Sequence, residues 1–205
     1  MEFFGRKREL TQLKNLISFD GMLMSLIYGR RRIGKSELVK QAIKESGTKS
    51  IFYVCKQVTE ESNVQSMCEV LSDSLGLPKL GYTKVEEIVD YIFKLSKEES
   101  IVFVLDEYPY LRENVKGLDS IIQALVDKYR EDSKLKLIVL GSYVEVMKSL
   151  LKESNPLYGR TDLVIDRELL RLNTSYLKSE LPASTTTALA TMIHNGSSYT
   201  VSTGV

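Results

Sequence analysis

The sequence predicts an α/β fold of three layers, a parallel sheet with helices on both faces, and three observations carry that reading. Its strand-like runs are apolar throughout rather than alternating, as strands buried on both sides must be. Amphipathic helical stretches separate those runs, the pattern of parallel strands joined by crossover helices. A glycine-bounded, basic segment also links the first run to its helix. The chain of 205 residues allows one sizeable domain plus a remnant, since domains commonly run to roughly 100–200 residues.

Taken in order, Leu10, Leu13 and Ile17 recur at helical spacing between Arg6 and Phe19, with Lys7, Arg8, Glu9 and Lys14 on the polar face. Met22 to Tyr28 is an apolar run ending at a glycine, long enough for a strand and too short for a helix. Ser36 to Glu45 reads as helix and Ser50 to Cys55 as a second strand. Val64, Met67, Cys68, Leu71 and Leu75 form one helical stripe, and Val85, Ile88, Ile92 and Leu95 another. Ile101 to Leu105 is the clearest buried strand. A helical face follows at Ile121, Ile122, Leu125, Val126 and Tyr129, then a strand from Leu135 to Leu140. Val144, Met147 and Leu151 suit a helix, and Leu163 to Ile165 a short fifth strand. Pro78, Pro109, Pro156 and Pro182 are expected between elements.

Composition removes several function classes. Lys and Arg number 28 against 27 Asp and Glu, a net charge of +1, so no overall field holds the chain on nucleic acid or membrane. His194 is the single histidine, and Cys55 and Cys68 are the two cysteines. That leaves too few ligands for a His/Cys zinc site and one base for a Ser-His-Asp triad. Cysteines without a CxxC read as buried thiols of a reducing compartment, so the cytoplasm is the expected location. Met1 to Arg6 holds no apolar signal region, and the apolar runs fall far short of the ~20 residues of a membrane span, so no membrane association is expected. Positive charge concentrates in the first forty residues, with nine Lys/Arg against four Asp/Glu. Residues 181–205 carry no charge and many Ser and Thr, so 167–205 is expected to be a truncated or atypical tail beyond a core of 1–166.

Gly29-Arg30-Arg31-Arg32-Ile33-Gly34-Lys35-Ser36 fits G-x-x-x-x-G-K-[ST] between a strand and a helix, the context this phosphate-binding motif requires. Backbone N–H groups and the positive helix end would surround a β-phosphate, Lys35 would span the β- and γ-phosphates, and Ser36 would offer its hydroxyl to Mg²⁺. Asp106, ending the Ile101 run, suits a metal held through its waters, and Glu107 beyond it could orient and deprotonate an attacking water. Ser142 has two readings: a hydroxyl facing the γ-phosphate, or the first residue of a capping box, Ser142-Tyr143-Val144-Glu145. Asn155 to Arg160 is a turn that presents an arginine with no acid directly beside it in sequence.

Phe4-Gly5-Arg6 with Glu9-Leu10, Tyr28 through Leu38, Leu105 through Leu111, Gly141-Ser142, and Pro156-Leu157-Tyr158-Gly159-Arg160 stand in the order found in the archaeal-type ATPase family. That family lies among the AAA-like and STAND P-loop ATPases, and the chain resembles it over about residues 2–166. The resemblance implies a sheet in the order five-one-four-three-two and binding of ATP with Mg²⁺. It implies adenine near Phe4 and Gly5 and phosphates along Gly29, Arg31, Arg32, Ile33, Gly34, Lys35, Ser36 and Glu37. It makes Lys35, Glu107 and Ser142 catalytic, Ser142 as a sensor, and Arg160 a phosphate-sensing or finger arginine. Lys7 departs from the pattern, because related motifs carry an acid there, and the lid and winged helix of the family are not recognisable after Asp166.

The expected function is therefore ATP binding and slow hydrolysis. One rival is a nucleotide-dependent switch whose output is assembly, through the nucleotide face, or partner binding. A nucleic-acid module built on Arg6, Lys7, Arg8, Lys14 and Arg30 to Arg32 is disfavoured, because three of those arginines belong to the phosphate loop.

Overall fold

A computed structural model describes residues 6–167. Five strands alternate with helices: α1 (Lys7–Ser18), β1 (Leu23–Tyr28), α2 (Lys35–Ser46), β2 (Lys49–Val54), α3 (Glu60–Leu75), α4 (Val85–Leu95), β3 (Ile101–Asp106), α5 (Tyr108–Asn114), α6 (Leu118–Tyr129), β4 (Lys136–Gly141), α7 (Val144–Ser149) and β5 (Leu163–Asp166). All pairings are parallel, in the order β2-β3-β4-β1-β5, which is the expected order read from the other edge.

Alternation of side chains along each strand divides the core in two. Phe103, Leu105, Leu137 and Val139 face the layer that contains Met67, Ile88, Ile92, Leu111, Ile122 and Met147. Val102, Val104, Ile138 and Leu140 face the opposite layer with Leu13, Ile17, Leu38, Val39 and Ala42 of α1 and α2. Both faces of β3 and β4 are covered, which is why these strands read as unbroken apolar runs.

One element departs from the sequence reading. Tyr108–Asn114 is helical, and Pro109, expected between elements, lies in its first turn, where a missing N–H costs no helical hydrogen bond. Seven residues are too few to display a helical period, so this helix leaves no pattern in the sequence. Elsewhere the shifts are at the ends: α3 begins at Glu60, capped by the Thr59 hydroxyl accepting from the Ser62 N–H at 3.3 Å.

Register brings the strand ends together. Tyr28 lies opposite Gly141 and Asp166, and Val54 opposite Asp106, so the loops after these strands meet along one edge of the sheet. β1 sits between β4 and β5, and its chain leaves for the far edge at β2, so the crevice beside β1 is where a parallel sheet opens for a ligand.

Candidate functional site

The loop from Gly29 to Gly34 joins β1 to α2, and its backbone is unlike ordinary loop. Gly29 has φ 147° and Gly34 φ 73°, and Arg32 holds φ 63° without being glycine. A Cβ on Gly34 would lie 2.6 Å from Arg6 Nη1, so a side chain there would displace the guanidinium packed on the loop. Arg6 Nη2 donates to the Ile33 carbonyl at 3.0 Å, which ties the start of α1 to the loop.

Lys35, the first residue of α2, is 6% exposed, and its ammonium is turned back onto the loop, donating to the carbonyls of Gly29 at 2.8 Å and Arg30 at 3.1 Å. Burial lowers its pKa, the carboxylates of Glu107 and Asp106 oppose that shift, and Arg167 and Arg31 add to it. Ser36 Oγ donates to Asp106 Oδ2 at 2.6 Å, joining the phosphate loop to the end of β3. Asp106 Oδ1 accepts from the Glu107 N–H at 3.0 Å. Arg32 is exposed, Ile33 is half-buried with its Cδ1 against Gly29, and Glu37 on the first turn of α2 pairs with Lys40 at 3.4 Å.

Glu107 has φ 54°, a left-handed conformation that costs a side-chain-bearing residue about 1–3 kcal/mol. It turns the chain sharply from β3 into α5, and the carboxylate reaches the end of β4. There Glu107 Oε2 accepts from both the Ser142 hydroxyl at 2.7 Å and the Ser142 N–H at 3.0 Å. The capping-box alternative for Ser142 is thereby corrected: Tyr143 occupies the N-cap of α7, no side chain caps that helix, and Glu107 takes the Ser142 hydroxyl instead. Gly141 makes room for this junction, since a Cβ there would collide with Met147 Sδ and crowd Pro109.

Two arginines make contacts that the sequence did not specify. Arg31 donates through Nε to Ser142 Oγ at 3.4 Å and through Nη2 to the Tyr110 hydroxyl, with its guanidinium over the Tyr143 and Tyr110 rings. Arg167, after β5, is 3% exposed, donates from Nη1 to the Gly34 carbonyl at 3.4 Å, and has no partner for Nε or Nη2. Burial is the first cause lowering its pKa, followed by the charge of Arg6. Arg31 belongs to the phosphate loop already expected to bind phosphates, whereas Arg167 stands in no pattern that periodicity or motif spacing could have singled out.

Arg160 is not brought to this edge. Asp162, two residues on, donates its N–H to the Met24 carbonyl at 2.8 Å, which sets Arg160 at the amino ends of the strands. The loop lies at the carboxyl end of β1, roughly 17 Å away at about 3.3 Å per strand residue. Arg160 instead forms a two-pronged pair with Asp127, Nε–Oδ1 2.8 Å and Nη2–Oδ2 2.7 Å, and donates to the carbonyls of Pro156 and Tyr158. Its acidic partner comes from α6 rather than from Asp162, which pairs with Arg130. Arg160, expected as a phosphate-sensing or finger arginine, is thus not placed at its own subunit's phosphate loop. Phe4 and Gly5 lie outside the described residues, as does the expected tail of 167–205 apart from Arg167, which is buried against the loop.

The donor set fits a nucleotide polyphosphate. A glycine-lined cradle, a buried ammonium held only by carbonyls, and a buried guanidinium with two unpartnered donors all call for an anion. Ser36 and Asp106 supply the hard oxygen ligands that Mg²⁺ takes beside phosphate. Among the described residues no cluster of three His, Cys, Asp or Glu could hold a metal alone, and no helix is long and apolar enough to cross a membrane. Cys55 and Cys68 are buried free thiols.

Comparison with known proteins agrees with this geometry. The chain is 29% identical over 188 residues to an uncharacterised protein of Methanocaldococcus jannaschii, covering 88% of this chain and 38% of that protein. It is 21% identical over 165 residues to an uncharacterised ATP-binding protein of Pyrococcus horikoshii, covering 80% of this chain and 50% of that one. It thus spans half or less of these relatives' length. Among solved structures the fold resembles a Walker-type ATPase of Pyrococcus abyssi, with TM-score 0.59, 19% identity, and 93% and 63% of the two chains covered. Cdc6p of Pyrobaculum aerophilum gives TM-score 0.57 at 16% identity over 80% and 45% of the two chains. Residues 3–180 match the ATPase domain found predominantly in Archaea, and the chain belongs to that family.

Proposed function

We propose that this domain binds ATP with Mg²⁺ and hydrolyses it slowly, in the cytoplasm. The observation that carries the reading is the 2.6 Å hydrogen bond from Ser36 to Asp106, because it unites two sequence motifs as one metal-ready pair beside a buried lysine. Lys35 exchanges the Gly29 and Arg30 carbonyls for the β- and γ-phosphates, a stronger charge-assisted contact. Ser36 and Asp106 would hold Mg²⁺, which would supply positive charge to offset the charge developing on the phosphates. Glu107 leaves Ser142 to orient a water and accept its proton.

The test is a thermal-shift titration with ATP, with and without Mg²⁺, on the wild type and Lys35→Ala. A ligand that binds only the folded state raises its melting temperature, so the wild type should shift and the variant should not. An equal shift in a folded Lys35→Ala protein would remove the reading.

The switch reading has its own support. Glu107 is clasped by two donors from Ser142, an arrangement that favours binding over turnover. Assembly through the nucleotide face on addition of a non-hydrolysable ATP analogue, measured by light scattering, would favour it. Nucleic acid is not proposed as a ligand of this core.

A further inference from the structure

Three features of the site converge on one residue that the catalytic machinery above does not use. Arg31 projects from the middle of the phosphate loop and is exposed. Its Nε contacts Ser142 Oγ at 3.4 Å, and the same hydroxyl donates to Glu107 at 2.7 Å, so the guanidinium stands two hydrogen bonds from the carboxylate assigned to water activation. Its Cζ lies 5.7 Å from the Tyr143 ring centroid and 6.0 Å from that of Tyr110, and the two rings meet edge to face at 5.7 Å.

Every one of these partners is uncharged. A hydroxyl contact and a cation–π contact at an exposed ring are weak, whereas an arginine on phosphate forms charge-assisted, two-pronged bonds roughly twice as strong as neutral ones. Arg160 is the opposite case, already committed to the Asp127 carboxylate at the far end of the sheet.

We infer that Arg31 is the arginine that engages the γ-phosphate within its own subunit, and that the Tyr110–Tyr143 pair is its seat when no γ-phosphate is present. The inference rests on the proposed ATP reading and assigns within it a role the finger arginine was expected to fill. In the reaction a bond forms from the water oxygen to the γ-phosphorus as the bond to the β–γ bridging oxygen breaks. The electron pair leaves with ADP, the water proton passes to Glu107, and inorganic phosphate is released. Arg31 neutralises charge on the non-bridging γ-oxygens during that transfer. Its departure from Ser142 removes one of the contacts that order the Ser142–Glu107 clasp, so arrival of the γ-phosphate and release of the carboxylate are linked.

The experiment uses Arg31→Ala and Arg31→Lys in the full chain, with ATP, ADP and turnover measured on each. Arg31→Ala should lower turnover about 10²-fold or more and weaken ATP binding about tenfold relative to ADP, with ADP affinity little changed. Arg31→Lys should recover charge without the fork and restore only part of the turnover. The chain contains no tryptophan, so Tyr143→Trp places a unique fluorophore beside the guanidinium. Its emission should change with a non-hydrolysable ATP analogue, not with ADP, and not when Arg31→Ala is combined with it. Wild-type turnover and an unchanged ATP-to-ADP affinity ratio in Arg31→Ala would overturn the inference. So would an equal loss of ATP and ADP binding, which would make Arg31 a general phosphate clamp. Absence of any nucleotide binding by the wild type would instead overturn the ATP reading beneath it.

Discussion

Glu107 shows how much one residue's backbone can decide. With φ 54° it turns the strand end into a helix and lays its carboxylate against Ser142, so strain of about 1–3 kcal/mol is held where the chemistry is proposed. Binding and turnover then make different demands on it. Glu107→Gln keeps the shape and an acceptor for Ser142 but removes basicity, so ATP affinity should stay within a few-fold while turnover falls about 10²-fold or more. Single-turnover hydrolysis measured beside equilibrium binding separates the two. Lys136 poses a different question. It is fully buried at the start of β4, donating to the Lys134 carbonyl at 2.7 Å and to Ser100 Oγ at 3.4 Å. Burial lowers its pKa to about 8 from 10.5, with Asp20 opposing the shift and Lys134 adding to it. Between those values the unfolded chain binds more protons than the folded one, so stability rises with pH across that window and is lost again as pH falls through about 8. Wild-type stability should gain on the order of 1–3 kcal/mol from pH 8 to 10.5 relative to Lys136→Met, which lacks this dependence. Denaturant unfolding of both proteins across that range measures it.

At the scale of elements, the joints between helices and strand ends explain what pattern reading could and could not see. β1, β3, α2 and α4 were legible because burial imposes period and length on their residues. The short α5 was not, and neither was its effect of setting Tyr110 beside Tyr143 at the N-cap of α7. The turn before β5 makes the same point with Arg160, whose partner Asp127 comes from α6, 33 residues away in sequence. With side-chain exposures of 28% and 46%, that pair is worth about 0.5 kcal/mol. Arg160→Ala and Asp127→Ala should each destabilise slightly and couple in a double-mutant cycle, with turnover per folded subunit unchanged. A turnover loss that grows with protein concentration would show that Arg160 serves a neighbouring subunit.

For the whole molecule, parallel topology is what makes a site out of scattered segments. All five strands point the same way, so every loop after a strand lies at one edge and every loop before a strand at the other. The phosphate loop, Asp106, Glu107, Ser142 and Arg167 therefore meet, while Arg160 is carried to the opposite end.

The sequence alone determined the strands, every described helix but α5, the phosphate loop and its acidic partner, because these depend on residue type at short fixed spacing. Family resemblance added the strand order. Only the tertiary structure decided which arginine lies against Ser142 and the Tyr110–Tyr143 pair, which hydroxyl holds Glu107, and which buried guanidinium keeps two donors unpartnered. Those outcomes depend on register and on which end of a strand a loop occupies, and contacts between residues 28 to 133 positions apart leave no periodic trace in the chain.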